Sequence, residues 1–358
     1  MRLAAIAGVG SAFPRHYYDQ ATLLAALRGY WEQRYFNLER IEQLHKHVLV
    51  GGRHLALALE EYPGLTTFGA SNDAWIRVAE EIGGEAVAAA LGKCGLTVTD
   101  VDALFFVTVT GIATPSIDAR LINRLGLRSD LKRIPIFGLG CVAGAAGIAR
   151  AADYVRGFPD EVAVLLSVEL CSLTLQRQDL SIPNLIASGL FGDGAAAAVV
   201  VGAERARALA PTALGPQIVA TRSIFYPHSE RVMGWDITES GFQIVLSADV
   251  PKVVEEHMRI DVDAFLGERG LTRRDIVSWV CHPGGPKVLT AMEQALEAPD
   301  GALELTWRSL REVGNLSSTS VLLVLEATLA ERRPPAGSLG MLLALGPGFC
   351  SELVLLQW

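Results

Sequence analysis

Cysteine is sparse in this chain, and basic charge is in deficit. Five cysteines, at positions 94, 141, 171, 281 and 350, are odd in number and scattered, which excludes a disulfide framework. No C-x-x-C pair points to zinc, so no metal is expected, and a reducing cytoplasm is the setting this usage fits. With 31 Lys and Arg against 39 Asp and Glu, the net charge of −8 excludes a general nucleic-acid binder. An anionic substrate would need a local basic patch. No apolar stretch reaches the ~20 uninterrupted residues that span a bilayer. The opening MRLAAIAGVGSAFP has a short apolar run and no convincing cleavage site, so it reads as a buried strand turning at Pro14.

What the chain has is core. Half of its 358 residues are hydrophobic, enough for two domains or one large layered one. Short apolar runs such as EVAVLLSVELC (161–171), GAAAAVVVG (194–202) and GMLLALGPG (340–348) alternate with helical patterns at 75–95, 142–157 and 321–333. Runs apolar on both faces predict strands covered on both sides, hence a layered α/β fold. The Ala- and Pro-rich stretch 204–218 divides the chain into halves 1–215 and 216–358. The halves rhyme: ALFFVTVTG precedes a cysteine loop and a helix, and IVSWVCHPGG precedes GNLSSTS and a helix at similar spacing.

Three residues of chemical interest fall at matching places. Cys141, in GLGCVAGAAG, sits between small residues at a helix mouth, where the dipole favours a thiolate and amides can serve an oxyanion. His282, in CHPGGP, follows a buried strand directly. Asn315, in GNLSSTS, opens a helix, and its competing role is a simple N-cap. Together they form a Cys-His-Asn set. His282 could hold the Cys141 thiolate as an ion pair, and His282 and Asn315 could donate to a developing enolate. Asp193-Gly194 reads as a tight turn feeding the next strand rather than as a catalytic acid.

The stretches TGIATPSID, GLGCVAGAAG, SVELCS, LFGDGAAAAVVVG, HPGGPKVL, GNLSSTSVL and LGPG, in that order, resemble the type III polyketide synthases, the chalcone-synthase-like branch of the thiolase superfamily. The resemblance implies a five-layered αβαβα fold and a homodimer. It also implies decarboxylative condensation of malonyl-CoA onto an acyl-CoA starter, with no carrier protein and no cofactor beyond these CoA thioesters. It makes Cys141 the nucleophile, His282 and Asn315 the enolate donors, and Phe191 the gatekeeper between CoA tunnel and cavity. Ile244 falls on the family's second gate, with Phe242 nearby if the register slips. Cys171 and Thr174 fall on cavity positions, and Thr114 on a residue sent into the partner subunit's cavity. Glu169 and Ser317, with Val109 or Thr110, match positions that orient a water for aldol-type release. Arg40 and His47, in a stretch that also carries Lys46 and Arg53, match CoA-phosphate contacts, with Gln43 replacing a basic residue between them. Gly285 completes the CoA site.

Small and aliphatic substitutions at the gates suggest a medium- or long-chain fatty acyl starter, yielding an alkylpyrone or alkylresorcinol. Alternatives are a tetrahydroxynaphthalene synthase that uses malonyl-CoA alone, or an enzyme like ketoacyl-carrier-protein synthase III. A papain-like hydrolase would also use Cys, His and Asn, but its C-G-S-C-W context is missing. An inactive scaffold would not need all three catalytic types.

Overall fold

The computed structural model describes residues 3–31, 38–210 and 214–358. In chain order, the first elements are β1 (Ala4–Ala12), β2 (His16–Asp19), α1 (Gln20–Trp31), α2 (Leu38–His47) and β3 (Gly52–Leu55). Next come α3 (Phe68–Lys93), β4 (Ala103–Thr108), α4 (Ile117–Leu125), β5 (Lys132–Phe137), α5 (Ala143–Gly157) and β6 (Val162–Leu170). The middle of the chain forms α6 (Ile182–Leu190), β7 (Asp193–Val201), α7 (Ala203–Ala208), β8 (Gln217–Phe225), β9 (Met233–Thr238) and β10 (Gly241–Leu246). The last part forms α8 (Val250–Gly267), β11 (Ile276–Cys281), α9 (Pro286–Leu296), α10 (Glu304–Val313), α11 (Ser320–Glu331), β12 (Leu339–Gly346) and β13 (Cys350–Gln357).

Nine strands hydrogen-bond in the order β11-β12-β13-β8-β1-β7-β6-β4-β5. The seam is narrow: β1 meets β8 through only the pairs Ala4–Ile218 and Ala5–Gln217. On either side of it lies one leaf of the sheet. Period-two alternation sends successive side chains of each leaf to opposite faces, and both faces are buried. On β6, Val162, Val164, Leu166 and Val168 pack outward with α3, while Ala163 and Leu165 face inward. On β12, Met341 and Leu343 join the α8 and α9 layer, while Leu342 and Ala344 face inward. The inner faces of both leaves share one core with α5 and α11. The result is the five-layered α/β architecture, with α5 and α11 as its central layer.

The small residues of α5 serve this central layer. A Cβ at Gly144 would lie 2.3 Å from the Ser318 carbonyl oxygen, and one at Gly147 would lie 2.4 Å from Leu165. Glycine at these positions lets α5 approach the entry of α11 and the sheet. The run AGAAG thus serves close packing. Asp193 and Gly194 stand within β7 and form no turn before it.

Candidate active site

Both central helices are entered through a 3-10 turn, Gly140–Val142 before α5 and Ser317–Thr319 before α11, and these turns touch. The turn residue Cys141 is buried, and its thiol donates to Ser317 Oγ at 3.6 Å. Gly140 takes φ +55°, and a Cβ there would lie 2.7 Å from Pro347, so glycine is required beside the cysteine. Ser317 is itself held at φ +47°, a left-handed conformation that costs a non-glycine residue free energy.

Asn315 sets that turn and does not cap α11. Its Oδ1 accepts from the Ser317 amide at 2.8 Å, and its Nδ2 donates to the Gly284 carbonyl at 3.2 Å. Gly284 belongs to the loop that leaves β11 at His282, whose amide is fixed on Leu343 O at 2.9 Å. A hydrogen-bonded path therefore runs from Cys141 through Ser317 and Asn315 to the His282 loop. Phe191 joins it by a backbone bridge: the Asn315 amide donates to Leu190 O and the Gly192 amide to Asn315 O.

The His282 ring is 2% exposed, and neither of its nitrogens has a hydrogen-bond partner. Burial alone pulls its pKa down to about 3. Burial likewise pushes the Cys141 thiol up to about 12, opposed by the Ser317 hydrogen bond and reinforced by the nearby Glu169 charge. Among the described residues no hydrogen bond joins Cys141 to His282: the thiol donates to Ser317, and neither ring nitrogen has a partner.

Glu169 is fully enclosed and saturated with donors. It accepts from Thr110 Oγ1 at 2.9 Å, the Val109 amide at 3.1 Å, Thr108 Oγ1 at 3.3 Å and Ser318 Oγ at 2.5 Å. Desolvation raises its pKa against these donors. Of the neighbouring serines it is Ser318, not Ser317, that donates to Glu169, and just after β4 Thr110 donates by its side chain whereas Val109 donates by its amide. Four hydroxyl residues in succession, Ser317 to Ser320, were the available sequence signal for this buried network.

A cavity of about 350 Å³ lies beside the path. Its wall includes Phe191, Ile244, Cys171 and Thr174, all expected cavity residues, and not Cys141, His282 or Asn315. Thr174 Oγ1 donates to Cys171 O at 2.8 Å. The Cys171 thiol is pushed well above its usual range by burial, then by the Glu169 and Asp193 charges. Phe242 packs instead against Phe68, with ring centroids 5.6 Å apart. Sequence reasoning missed Trp235, which faces Ile244 across the β9–β10 hairpin and shares the cavity wall. The alternating runs MGWDIT and GFQIVL, joined by Glu239-Ser240 and followed directly by Gly241, were the signal for that hairpin.

Thr114 is exposed. Arg40, Gln43 and His47 are exposed on α2 at spacings of three and four, so they share one face. Arg53 departs from them and is buried in the cavity wall. Gly285, at φ +150°, precedes Pro286 at the start of α9. All five cysteines are free. Among the described residues no group of three or more His, Cys, Asp or Glu could hold a metal, and no helix is long and apolar enough to cross a membrane.

Residues 2–205 match the N-terminal domain of the chalcone and stilbene synthases, and residues 217–358 their C-terminal domain. The chain is 50% identical over 357 residues to a 1,3,6,8-tetrahydroxynaphthalene synthase of Streptomyces peucetius subsp. caesius, covering 100% of this chain and 94% of that one. A putative chalcone synthase of Bacillus subtilis (strain 168) is 35% identical, over 99% of both chains. The crystal structure of 1,3,6,8-tetrahydroxynaphthalene synthase from Streptomyces coelicolor A3(2) superposes with a TM-score of 0.92 at 30% identity, over 99% of both chains. Two separate matches that together span the chain, and relatives aligned over nearly their whole length, converge on one conclusion: the chain belongs to the chalcone and stilbene synthase family, and is an acyltransferase-type enzyme of the type III polyketide synthases.

Proposed function

We propose that this enzyme builds a tetrahydroxynaphthalene-type product from malonyl-CoA alone. The observation that carries this reading is the cavity. At about 350 Å³ it lies at the small end of ligand sites, and the Trp235 indole stands opposite Ile244 where an alkyl tunnel was expected. The gain in width at Ile244 is offset by the indole across the hairpin. The 50% identity to a tetrahydroxynaphthalene synthase supports the same reading over a fatty acyl starter.

In this reading Cys141 takes the malonyl group from CoA by thioester exchange, and its proton leaves on the CoA sulfur. A second malonyl-CoA loses carbon dioxide, and the enolate oxygen accepts from neutral His282 and from the second N–H of Asn315. A histidine with a pKa of about 3 donates a hydrogen bond without surrendering its proton, so the carbanion survives to attack the Cys141 thioester. A naphthalene skeleton of ten carbons corresponds to five such two-carbon units. CoA phosphates would lie on the Arg40 and His47 face of α2, near Gly285. Thr114 would meet a second copy in a homodimer, in which Ile112 and Phe137, 45% and 52% exposed, are covered.

Mass spectrometry of products from purified enzyme with malonyl-CoA, alone and with acyl-CoAs of graded length, tests the proposal. An aromatic pentaketide from malonyl-CoA alone is expected. Products that form only with an added acyl-CoA, and carry its alkyl chain, would replace it with the fatty acyl reading.

A further inference from the structure

Arg53 belongs to the basic stretch 39–55 but leaves the exposed face of α2 that carries Arg40 and His47. The residue is 3% exposed and lies in the wall of the cavity beside Phe191 and Cys171. Its guanidinium donates to Gln20 Oε1 at 2.5 Å, to the Gly189 carbonyl at 2.8 Å and to the Ser188 carbonyl. All three acceptors are neutral. Its Nε is enclosed and has no partner.

Asp193 is the charge that opposes Arg53, yet the two do not touch. The Asp193 carboxylate is already engaged by the Ala56 amide at 2.6 Å, the Ser172 amide at 2.8 Å and the Ser172 hydroxyl. Tyr62 donates or accepts at Ser172 Oγ at 2.5 Å and is neutral, as is Cys171 beside it. Among the described residues no carboxylate lies within ion-pair distance of Arg53. A buried cation ordinarily has an anionic partner in contact, because leaving it on neutral acceptors forgoes the strongest compensation for lost hydration.

We propose that Arg53 is a substrate-binding residue that holds the free carboxylate of the starter malonyl group in the cavity. This rests on the malonyl-CoA reading above and deepens it. A starter bearing a carboxylate needs a cation where a fatty acyl starter would need only apolar wall. Holding the retained carboxylate also keeps it apart from the extender carboxylate that must leave as carbon dioxide beside His282 and Asn315.

The test compares Cys141 acylation by malonyl-CoA and by acetoacetyl-CoA, a neutral thioester of nearly the same shape. Each reaction is quenched rapidly and read by intact-protein mass spectrometry. The wild type is expected to prefer malonyl-CoA by about tenfold or more, the scale of a charge-assisted hydrogen bond. Arg53→Gln should lose the preference and Arg53→Lys, which keeps the charge, should retain most of it. Equal rates in the wild type overturn the proposal, and this arm does not depend on the folding of any variant. A preference that survives in folded Arg53→Gln overturns it as well. Product from malonyl-CoA alone is measured on the same preparation. Its absence overturns the proposed function, whereas its presence without a charge preference overturns the role of Arg53 alone.

Discussion

Glu169 and His282 are both sealed from water, and the fold treats them in opposite ways. The Glu169 carboxylate receives hydroxyls from Thr108, Thr110 and Ser318 and the amide of Val109. The His282 ring receives nothing at either nitrogen. Buried polar groups are nearly always satisfied, because an unmade hydrogen bond costs the full desolvation of the group. The satisfied carboxylate ties β6 to the end of β4 and to the entry of α11 beside Cys141. In the proposed mechanism the unpaired imidazole is the group that donates to the enolate. Asn315 lies between these extremes, with one N–H spent on Gly284 and a second still to give.

This contrast can be broken by substitution. Cys141→Ala should abolish polyketide formation while leaving the melting temperature and oligomeric state as in the wild type, because the side chain donates only one long hydrogen bond, to Ser317. Product at a normal rate from that variant would end the assignment. His282→Gln should lower kcat by about 10²–10³-fold, the scale of one lost oxyanion donor, with little change in stability. Ser318→Ala should show the reverse pattern. It leaves Glu169 and Ser167 each short of a partner and should cost about 1–3 kcal/mol in denaturant unfolding.

The smallest effect concerns pH. His282 has a pKa of about 3 when folded against 6.5 for the free group, so between those values the unfolded chain binds a proton that the folded chain does not. Stability is therefore lost as pH falls below about 6.5. His45, pulled to about 4 mainly by burial, adds to the same loss. Asp193, raised to about 6 by burial, acts in the opposite direction, since its folded form holds a proton more tightly. His282→Gln removes one contribution and leaves the others. Its melting temperature should accordingly fall less than that of the wild type between about pH 7 and pH 5.

The layered core was legible because its strands announce themselves. VAVLL and AAAAVVV are apolar at every position, a pattern that fits strands covered on both faces. Cys141, His282 and Asn315 stood out because each follows a strand or opens a helix in a glycine-punctuated loop. What stayed hidden depends on contacts between distant segments. Arg53 reads as one more surface base until β3 carries it beneath the α6 carbonyls of Ser188 and Gly189. Trp235 gains its meaning from the hairpin that sets it against Ile244. The choice between Ser317 and Ser318 as the partner of Glu169 turns on the φ of a single residue, which no spacing rule gives.

The account rests most heavily on Cys141 as the residue that carries the chain, in a site where Cys171 is also buried and borders the cavity. Enzyme quenched during turnover with malonyl-CoA, digested and mapped by tandem mass spectrometry, decides between them. Acyl adducts on the peptide containing Cys141, lengthening with reaction time, are the predicted result. Adducts on Cys171, with Cys141 unmodified, would contradict it.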